Sequence, residues 1–369
     1  MKDLLVTTHT PVLRSGQAAR TYGVARALAS GDGLTLLYVR FDAPEPDAAF
    51  RNIPGIEFAE VVPSRGPGRM LAYGTALASG VPAGFARGVS TELTAEAERL
   101  AADPGRGRVI ADGPIVAAAL RSLARRRPVI YNAHNVESSF RVDLDGSTRG
   151  LRRFERGVLA RSEESWMVSE ADIAIARELC PGARLRYVPN VVDVAAIRPV
   201  FPDVGGRRAV FVANFTYEPN FNGLRFLLDR VFPRVWSELP DASLILIGAG
   251  LERPPSEDPR VQAMGFVDDL REAYASASCA VVPLLQGGGT PLKFVEALAY
   301  GMPVVATRRA AAGLAVQDGR HCLLADDEEH FAGALVRVLR DGAPDVAKHG
   351  RELAGERYSI EALSGLLAR

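Results

Sequence analysis

The sequence predicts an α/β protein built from two doubly wound, Rossmann-like domains. Short apolar runs alternate with amphipathic stretches from residue 2 to about 176, and a second such series starts at 209. This alternation favours parallel sheets with helical crossovers. Prolines and glycines cluster between the two series, around residues 189–208. With 369 residues, the chain is long enough for two domains that each bury a core.

These patterns place an N-terminal domain at residues 1–195 and a C-terminal domain at 196–357. Ligands of such sheets usually bind at the carboxyl ends of the strands, so the two domains are expected to face a central cleft there. The last segment, 358–369, has helical apolar spacing. It is expected to pack back on the N-terminal domain.

Composition and charge exclude several classes of protein. Lys and Arg together number 44, and so do Asp and Glu. The formal net charge is therefore zero and gives no indication of nucleic-acid binding. The chain has no apolar run near the roughly 20 residues of a membrane span, and its start is too short for a signal segment. We therefore expect a cytoplasmic protein. Three cysteines without a paired spacing argue against a disulfide framework or a zinc site.

The clearest local signal is a glycine turn followed by a helix, between Leu284 and Thr307. Three glycines (Gly287, Gly288, Gly289) and Thr290 precede Pro291, which is expected to open the helix. Amide groups of such a turn and the helix N-terminus favour an anion. Lys293 adds a positive charge, and Glu296 shares its helix face. An ordinary glycine turn with a surface Lys–Glu pair is the alternative.

The first domain offers two further candidates. Gly16 lies between the first predicted strand and helix, where a helix N-terminus suits an anion, although it could simply start the helix. The predicted strand PVIYNAHN ends with His134 and Asn135, and Glu137 follows. A lone histidine there is often structural. His9 has the same position after its strand and is a secondary candidate.

The sequence resembles the retaining nucleotide-sugar glycosyltransferases of the GT-B fold, family 4, of the bacterial polysaccharide-assembly type. The resemblance covers nearly the whole chain and is strongest from Ala209 to Asp326. The matching stretches are FVANFTYEPNFNGLRFLL, SLILIGAG, MGFVDDLREAYASASCAVVPL and GGGTPLKFVEALAYGMPVVAT. The resemblance implies that Glu296 binds the donor ribose and that Phe266 belongs to the segment flanking the nucleobase. It also implies that the Gly16 loop approaches the donor phosphates and that His134 lies beside the reacting centre.

The chain departs from the family pattern at the donor diphosphate. An earlier glutamate of the signature helix would fall at Gly288. The arginine and lysine that commonly hold the diphosphate are here Asn214 and Pro219. Lys293 is therefore the main basic candidate for the leaving diphosphate, with Asn214 kept as a donor-binding residue.

The resemblance implies transfer of a sugar from a nucleotide-diphosphate sugar to a glycan, lipid-linked or small-molecule acceptor, with retention of configuration. We expect no cofactor beyond this co-substrate and no metal; Asp143 and Asp145 precede a predicted helix and are not interpreted as metal ligands. A peripheral membrane contact is a further expectation. For the arginine-rich stretch Arg149–Arg161, interleaved glutamates favour a solvated helix over a lipid-binding face.

Three other interpretations stay open from sequence. One is a nucleotide-sugar-binding protein without transferase activity, which the missing glutamate and basic residues favour. A nucleotide-sugar epimerase and a phosphorylase on the same architecture are the others, since the fold alone does not decide the chemistry.

Overall fold

The computed structural model describes residues 1–368 except 14, 41–44, 65, 140–147, 252–254, 268 and 288–289. The chain divides into two compact units. The first comprises residues 1–190 together with 363–369, and the second comprises residues 191–362.

The first unit is a seven-stranded parallel sheet with helical crossovers. Its strands are β1 (Lys2–Thr7), β2 (Leu34–Val39), β3 (Ile56–Val61), β4 (Arg106–Asp112), β5 (Ile130–Asn132), β6 (Glu164–Met167) and β7 (Leu185–Tyr187). Their order is β3-β2-β1-β4-β5-β6-β7. Every residue of β2 is buried, as expected for an inner parallel strand covered on both faces, whereas in the edge strand β3 Val61 is buried and the other five residues are half-exposed or exposed.

Helices connect these strands. They are α1 (Gly16–Ala29), α2 (Ala48–Arg51), α3 (Pro67–Ala78), α4 (Ala83–Ala86), α5 (Thr91–Ala101), α6 (Pro114–Ala119), α7 (Thr148–Arg161) and α8 (Glu170–Leu179). Helix α1 begins where Ser15 caps it, because the Ser15 hydroxyl accepts a hydrogen bond from the Ala18 amide.

The second unit is a six-stranded parallel sheet. Its strands are β8 (Arg208–Val212), β9 (Ser243–Ile247), β10 (Val261–Gly265), β11 (Cys279–Val282), β12 (Val304–Ala306) and β13 (Leu323–Leu324). They follow the order β10-β9-β8-β11-β12-β13. Its helices are α9 (Glu218–Phe226), α10 (Phe232–Glu238), α11 (Leu270–Ala275), α12 (Leu292–Tyr300), α13 (Arg308–Ala311), α14 (Glu328–Asp341), α15 (Pro344–Arg357) and α16 (Ile360–Leu367).

Two apolar layers cover the faces of the second sheet. Phe211 and Leu246 pack with helix α14 through Phe331 on one side, and Val210 and Phe294 belong to the layer on the other. The inner strands β8, β9, β11 and β12 are buried on both faces, and their sequences are almost continuously apolar, whereas the edge strand β10 is buried only at Val261. The predicted α/β class is therefore confirmed in both units.

Close backbone contact at the carboxyl ends of β8 and β9 requires a glycine. Gly248 has φ +133°, and a Cβ atom there would lie 1.8 Å from the carbonyl oxygen of Ala213. Only glycine fits such an approach. The turn after β8, which carries Asn214, is thereby held against the end of β9.

Helix α16 begins in the second unit, and its residues from 363 onward belong to the first unit. The Leu367 carbonyl accepts a hydrogen bond from Arg108 at 2.8 Å, and the Leu366 carbonyl accepts one from Arg186. Among the described helices, none is long and apolar enough to cross a membrane.

Candidate active site

The predicted glycine turn lies at the carboxyl end of β11, which is the ligand side of a parallel sheet. Gly287 has φ +116°, and a Cβ atom there would lie 3.8 Å from Pro219 and 3.9 Å from the Tyr217 hydroxyl. The position where the family commonly has a basic residue, Pro219, therefore borders this turn. Helix α12 begins at Leu292, one residue after the predicted start. Gly288 and Gly289 lie outside the described residues.

Lys293 is half-buried on the first turn of α12. Its ammonium group donates a hydrogen bond to the side-chain oxygen of Asn220 and lies 5.2 Å from the centroid of the Phe211 ring. Burial lowers the pKa of Lys293 to about 7. An anion bound beside this ammonium would favour its charged form and raise that pKa.

Glu296 is half-buried on the same face of α12. Burial raises its pKa to about 7. It lies near two phenols: the pKa of Tyr274 is raised well above its usual range, and that of Tyr300 is raised to about 12, by burial first and then by the Glu296 charge. Among the described residues, no ion pair joins Glu296 to Lys293 and no hydrogen bond reaches its carboxylate.

Asn214 is the second position, with Pro219, where the family commonly has a basic residue. Its side chain is hydrogen-bonded within the turn that follows β8. Its side-chain oxygen accepts hydrogen bonds from the amide and the hydroxyl of Thr216, at 3.0 and 2.7 Å. Its carbonyl accepts one from the Asn220 side chain at 2.7 Å. Asn220, which the sequence did not single out, thus links the Asn214 turn to Lys293.

Two more donor-site candidates differ in exposure. Thr290 is buried, immediately before α12, whereas the Phe266 side chain is 71% exposed just after β10. An exposed aromatic ring at the carboxyl end of a strand is available to stack against a planar ligand.

Besides α12 with Lys293, a second element with a basic residue borders the glycine turn. Helix α13 follows β12, the neighbour of β11, and the guanidinium group of Arg309 donates a hydrogen bond to the Gly287 carbonyl. The adjacent Arg308 instead pairs with Asp318 at 3.4 Å and Asp326 at 3.5 Å. Sequence reasoning missed Arg309 because its contact to Gly287 joins two segments that are distant along the chain.

In the first unit, His134 follows β5 and belongs to a buried network centred on Asp112. The His134 Nε2 atom lies 2.8 Å from Asp112 Oδ1, and the Asn132 side chain donates to the same oxygen at 2.7 Å. Thr21 donates to Oδ2 at 2.6 Å. Burial alone would raise the pKa of Asp112, but His134, His9 and Thr21 together hold it below its ordinary value.

The ionised Asp112 fixes the tautomer of His134. A carboxylate accepts, so Nε2 must carry a proton, and Nδ1 faces away from Asp112. That Nδ1 atom is buried and has no hydrogen-bond partner within the described part of the chain. It packs near Gly113, where a Cβ atom would lie 3.5 Å from Nδ1.

A buried cation balances this carboxylate. Arg20 of α1 donates to the Asn132 side chain at 2.6 Å, to the Val188 carbonyl at 3.0 Å and to the Asn190 side chain at 3.1 Å. Burial lowers the pKa of Arg20 to about 10, while the Asp112 charge opposes that shift. Sequence reasoning missed Arg20 and Asp112. The Asp at the end of β4, followed by glycine, was the available signal.

The remaining candidates of the first unit take different places. Gly16 is the first residue of α1, and open space surrounds the position of its missing Cβ. His9 joins the Asp112 network through Thr21 at 3.4 Å, and burial lowers its pKa. Asn135 is half-buried, and Glu137 is buried.

The arginines of the arginine-rich helix are exposed, as expected of a solvated helix, but one of its glutamates is not. Glu155 of α7 is buried and accepts hydrogen bonds from the Glu137 and Ser138 amides, at 2.6 and 3.1 Å. It caps the turn that follows His134 and is not a solvated surface charge.

Metal-ligand groups are absent from the described part of the chain, which contains no set of three or more His, Cys, Asp or Glu side chains placed for an ion. Asp143 and Asp145 lie outside the described residues.

Residues 206–341 match the family model described as "Glycosyl transferases group 1". The fold resembles sucrose-phosphate synthase from Thermosynechococcus elongatus, with 18% identity and a TM-score of 0.75 over 100% of this chain and 97% of that chain. It also resembles Anabaena HepE in complex with UDP and glucose, with 14% identity and a TM-score of 0.70 over 100% and 98% of the two chains.

A curated relative, the phosphatidyl-myo-inositol mannosyltransferase of Mycobacterium leprae, is 31% identical over 203 residues, which are 49% of this chain and 52% of the relative. The chain spans about half the length of the curated relatives it matches, from 42% to 52% for the first three. The fold is therefore that of the GT-B glycosyltransferases, as the resemblance predicted. More particularly, the match to the group 1 glycosyl transferase model covers residues 206–341, which lie in the second unit. Family 4 membership stays a prediction.

Replacing Asp112 with Asn should lower the free energy of unfolding by about 1–3 kcal/mol at pH 7, because an amide cannot accept all three hydrogen bonds and Arg20 loses its counter-charge. The folded pKa of Asp112 is lowered, so its contribution is present above about pH 4 and is lost as the pH falls. Urea unfolding should therefore show a difference that shrinks on acidification. Equal stability at pH 7 would contradict the assigned network.

Replacing Glu296 with Gln should stabilise the unliganded protein at pH 8 but not at pH 4.5. The folded pKa of about 7 lies above the ordinary value of 4.5, so the buried carboxylate costs stability increasingly as the pH rises through that interval. A gain of about 1 kcal/mol corresponds to roughly 2–4 °C in Tm for a domain of 150–250 residues. Thermal unfolding at the two pH values measures it, and an equal shift at both would refute the argument.

Proposed function

We propose that this chain transfers a sugar from a nucleotide-diphosphate sugar to a glycan, lipid-linked or small-molecule acceptor, with retention of configuration and without a metal ion. The observation that carries the proposal is the pair of half-buried charges on α12, Lys293 and Glu296, which follow a glycine turn and do not neutralise each other. Unpaired charges in such surroundings destabilise a protein, and a ligand that pairs with both removes that cost.

A nucleoside diphosphate matches these groups one by one. Its diphosphate suits the Lys293 ammonium together with the amides at Gly287, Thr290 and the start of α12. Its ribose hydroxyls are donors for the Glu296 carboxylate, and its base is a planar partner for the exposed Phe266 ring. Solved HepE, which shares the fold, is in complex with UDP and glucose.

Arg309 supplies a second cation for the same diphosphate. The two basic positions of the family are Asn214 and Pro219 here, and Pro219 borders Gly287. Arg309 reaches this turn from the neighbouring strand end, and its bond to the Gly287 carbonyl uses only part of a five-donor guanidinium group. The remaining donors can bind phosphate oxygens in a fork.

The reaction requires stabilisation of charge. When the bond between the anomeric carbon and the diphosphate oxygen breaks, the ring gains positive charge and the leaving group gains negative charge. Lys293, Arg309 and the turn amides offset the charge on the leaving group. The acceptor hydroxyl then forms the new bond on the face that the diphosphate leaves, and its proton passes to a phosphate oxygen. His134, fixed by Asp112, orients the reacting groups.

Replacing Lys293 or Arg309 with Met should weaken binding of a nucleoside diphosphate by about tenfold or more each, and binding of the matching nucleoside much less. Loss of a charged hydrogen bond typically costs about 1.5–3 kcal/mol. Calorimetric titration with UDP or GDP, and with uridine or guanosine, measures both affinities.

Arg308→Met is the matched control for Arg309. Arg308 is the neighbouring arginine but already pairs with Asp318 and Asp326, so diphosphate affinity should stay within about twofold. Equal losses for diphosphate and nucleoside in the Lys293 variant would overturn the assignment of the diphosphate to α12.

Replacing His134 with Ala should reduce turnover by about 10²-fold while leaving nucleoside diphosphate affinity nearly unchanged, because the side chain lies in the first unit and not on α12. Transfer from a panel of nucleotide sugars, followed by product NMR, reports both rate and anomeric configuration. A chelator should leave the rate intact.

Three outcomes of that assay would refute parts of the proposal. Nucleotide binding with no transfer to any acceptor would favour a binding protein. Donor conversion without acceptor would favour an epimerase. An inverted product would exclude retention.

A further inference from the structure

A groove with mostly apolar walls lies on the second unit, away from the glycine turn. Its volume is about 1050 Å³, and helix α15 and the segment 199–204 form its two long sides. Ser278 and Pro303 also line it, and they directly precede β11 and β12. The groove is therefore at the amino ends of these strands. A partner bound there leaves the carboxyl ends, where the donor-site candidates lie, uncovered.

Phe201 projects from one side of this groove. Its side chain is 94% exposed, whereas that of the preceding Val200 is 7% exposed. The segment is held on both sides of Phe201, because the Val200 amide donates to the Tyr300 carbonyl at 2.9 Å and the Asp203 amide donates to the Ala277 carbonyl at 3.0 Å. A large aromatic side chain that is exposed to water on a fixed segment is typical of an interface anchor.

The outer side of α15 carries charges of both signs along the groove. Lys348, Glu352 and Glu356 are spaced four residues apart, so they lie on one side of the helix, and all three are exposed. Within the part of the chain that the structure describes, none of the three forms an ion pair. Lysine before glutamate is also the weaker order for a pair within one helix. These charges are therefore available to a partner.

One surface thus combines a projecting aromatic ring, an apolar groove and charges of both signs. A two-fold interface requires such a combination, because both copies use the same surface and it has to be complementary to itself. When two α15 helices run antiparallel about an axis midway between residues 348 and 352, Lys348 of each copy faces Glu352 of the other. The register that pairs Lys348 with Glu356 brings the two Glu352 carboxylates together and is unfavourable.

We propose that Phe201 and the groove along α15 form the interface of a symmetric homodimer. Phe201 of each copy fills the apolar groove of the other, and two Lys348–Glu352 pairs lie at the rim. Interfaces commonly have aromatic anchors at the centre and charged groups at the rim. The anchors supply most of the affinity, and the charged pairs fix the register. The donor site of each copy stays open at the opposite edge of its sheet.

Sedimentation velocity of the full chain over a range of concentrations measures the dimer dissociation constant. Phe201→Ser should raise this constant about 100-fold or more, because each dimer loses two buried anchors. Lys348→Glu and Glu352→Lys should each raise it about tenfold or more, since each places like charges opposite each other twice. The double variant, Lys348→Glu with Glu352→Lys, should return it to within about threefold of the wild type, because the pairs form again with reversed polarity.

Two variants outside the groove serve as matched controls. Phe221→Ser removes a phenylalanine of α9 that is 44% exposed, and Glu178→Lys reverses an exposed charge of α8. Both should leave the dissociation constant within about twofold of the wild type. Circular dichroism should be the same for all variants. The affinity for a nucleoside diphosphate should also be unchanged, which separates this test from that of the proposed function.

Three results would overturn the inference. A wild type that stays monomeric at every concentration has no such interface. A dimer that Phe201→Ser leaves intact has its interface elsewhere. If the double charge variant does not recover what the single charge variants lose, Lys348 and Glu352 do not pair across a two-fold axis.

Discussion

The carboxyl edge of the first sheet depends on one buried charge, the Asp112 carboxylate. Three groups from different elements converge on it: Thr21 from α1, Asn132 from β5 and His134 from the loop that follows. Burial of a carboxylate is costly, and these hydrogen bonds, with the nearby cation of Arg20, offset that cost. The same contacts set the position of α1 and the tautomer of His134, so local structure and candidate chemistry share one cause.

In the second unit, the half-buried charges differ from Asp112 because they do not have a comparable set of partners. Lys293 and Glu296 are half-buried, and burial shifts both pKa values to about 7, which favours the neutral form of each group. In the first unit, hydrogen bonds from three elements satisfy the Asp112 carboxylate. In the second, the two charges of α12 have no ion-pair partner among the described residues and leave free energy for a ligand to recover. This contrast supports donor binding on α12 better than the glycine turn does, because glycine turns occur in many proteins without ligands.

The sequence predicted the fold and the local segments well, because both depend on short-range patterns. The spacing of apolar residues and the turn residues between the apolar runs define parallel α/β units, and Gly301 ends α12 in the left-handed conformation. The contacts that join distant segments were not predictable in this way. Asp112 meets His134 across 22 residues and Arg20 meets Asn190 across 170, and such pairs follow from strand order, which a single sequence specifies weakly. Glu155 was misplaced for the same reason, since its partners lie in another segment.

Strand order also explains how the proposed diphosphate site has two cations although Asn214 and Pro219 occupy the family's basic positions. In a parallel sheet, residues that follow neighbouring strands meet at one edge even when they are far apart along the chain. Lys293 follows β11 and Arg309 follows β12, and these strands are adjacent. A charge lost from the turn after β8 can therefore be replaced from β12 without moving the ligand. What the site has to preserve is the position of positive charge in space, and several positions in the sequence can supply it.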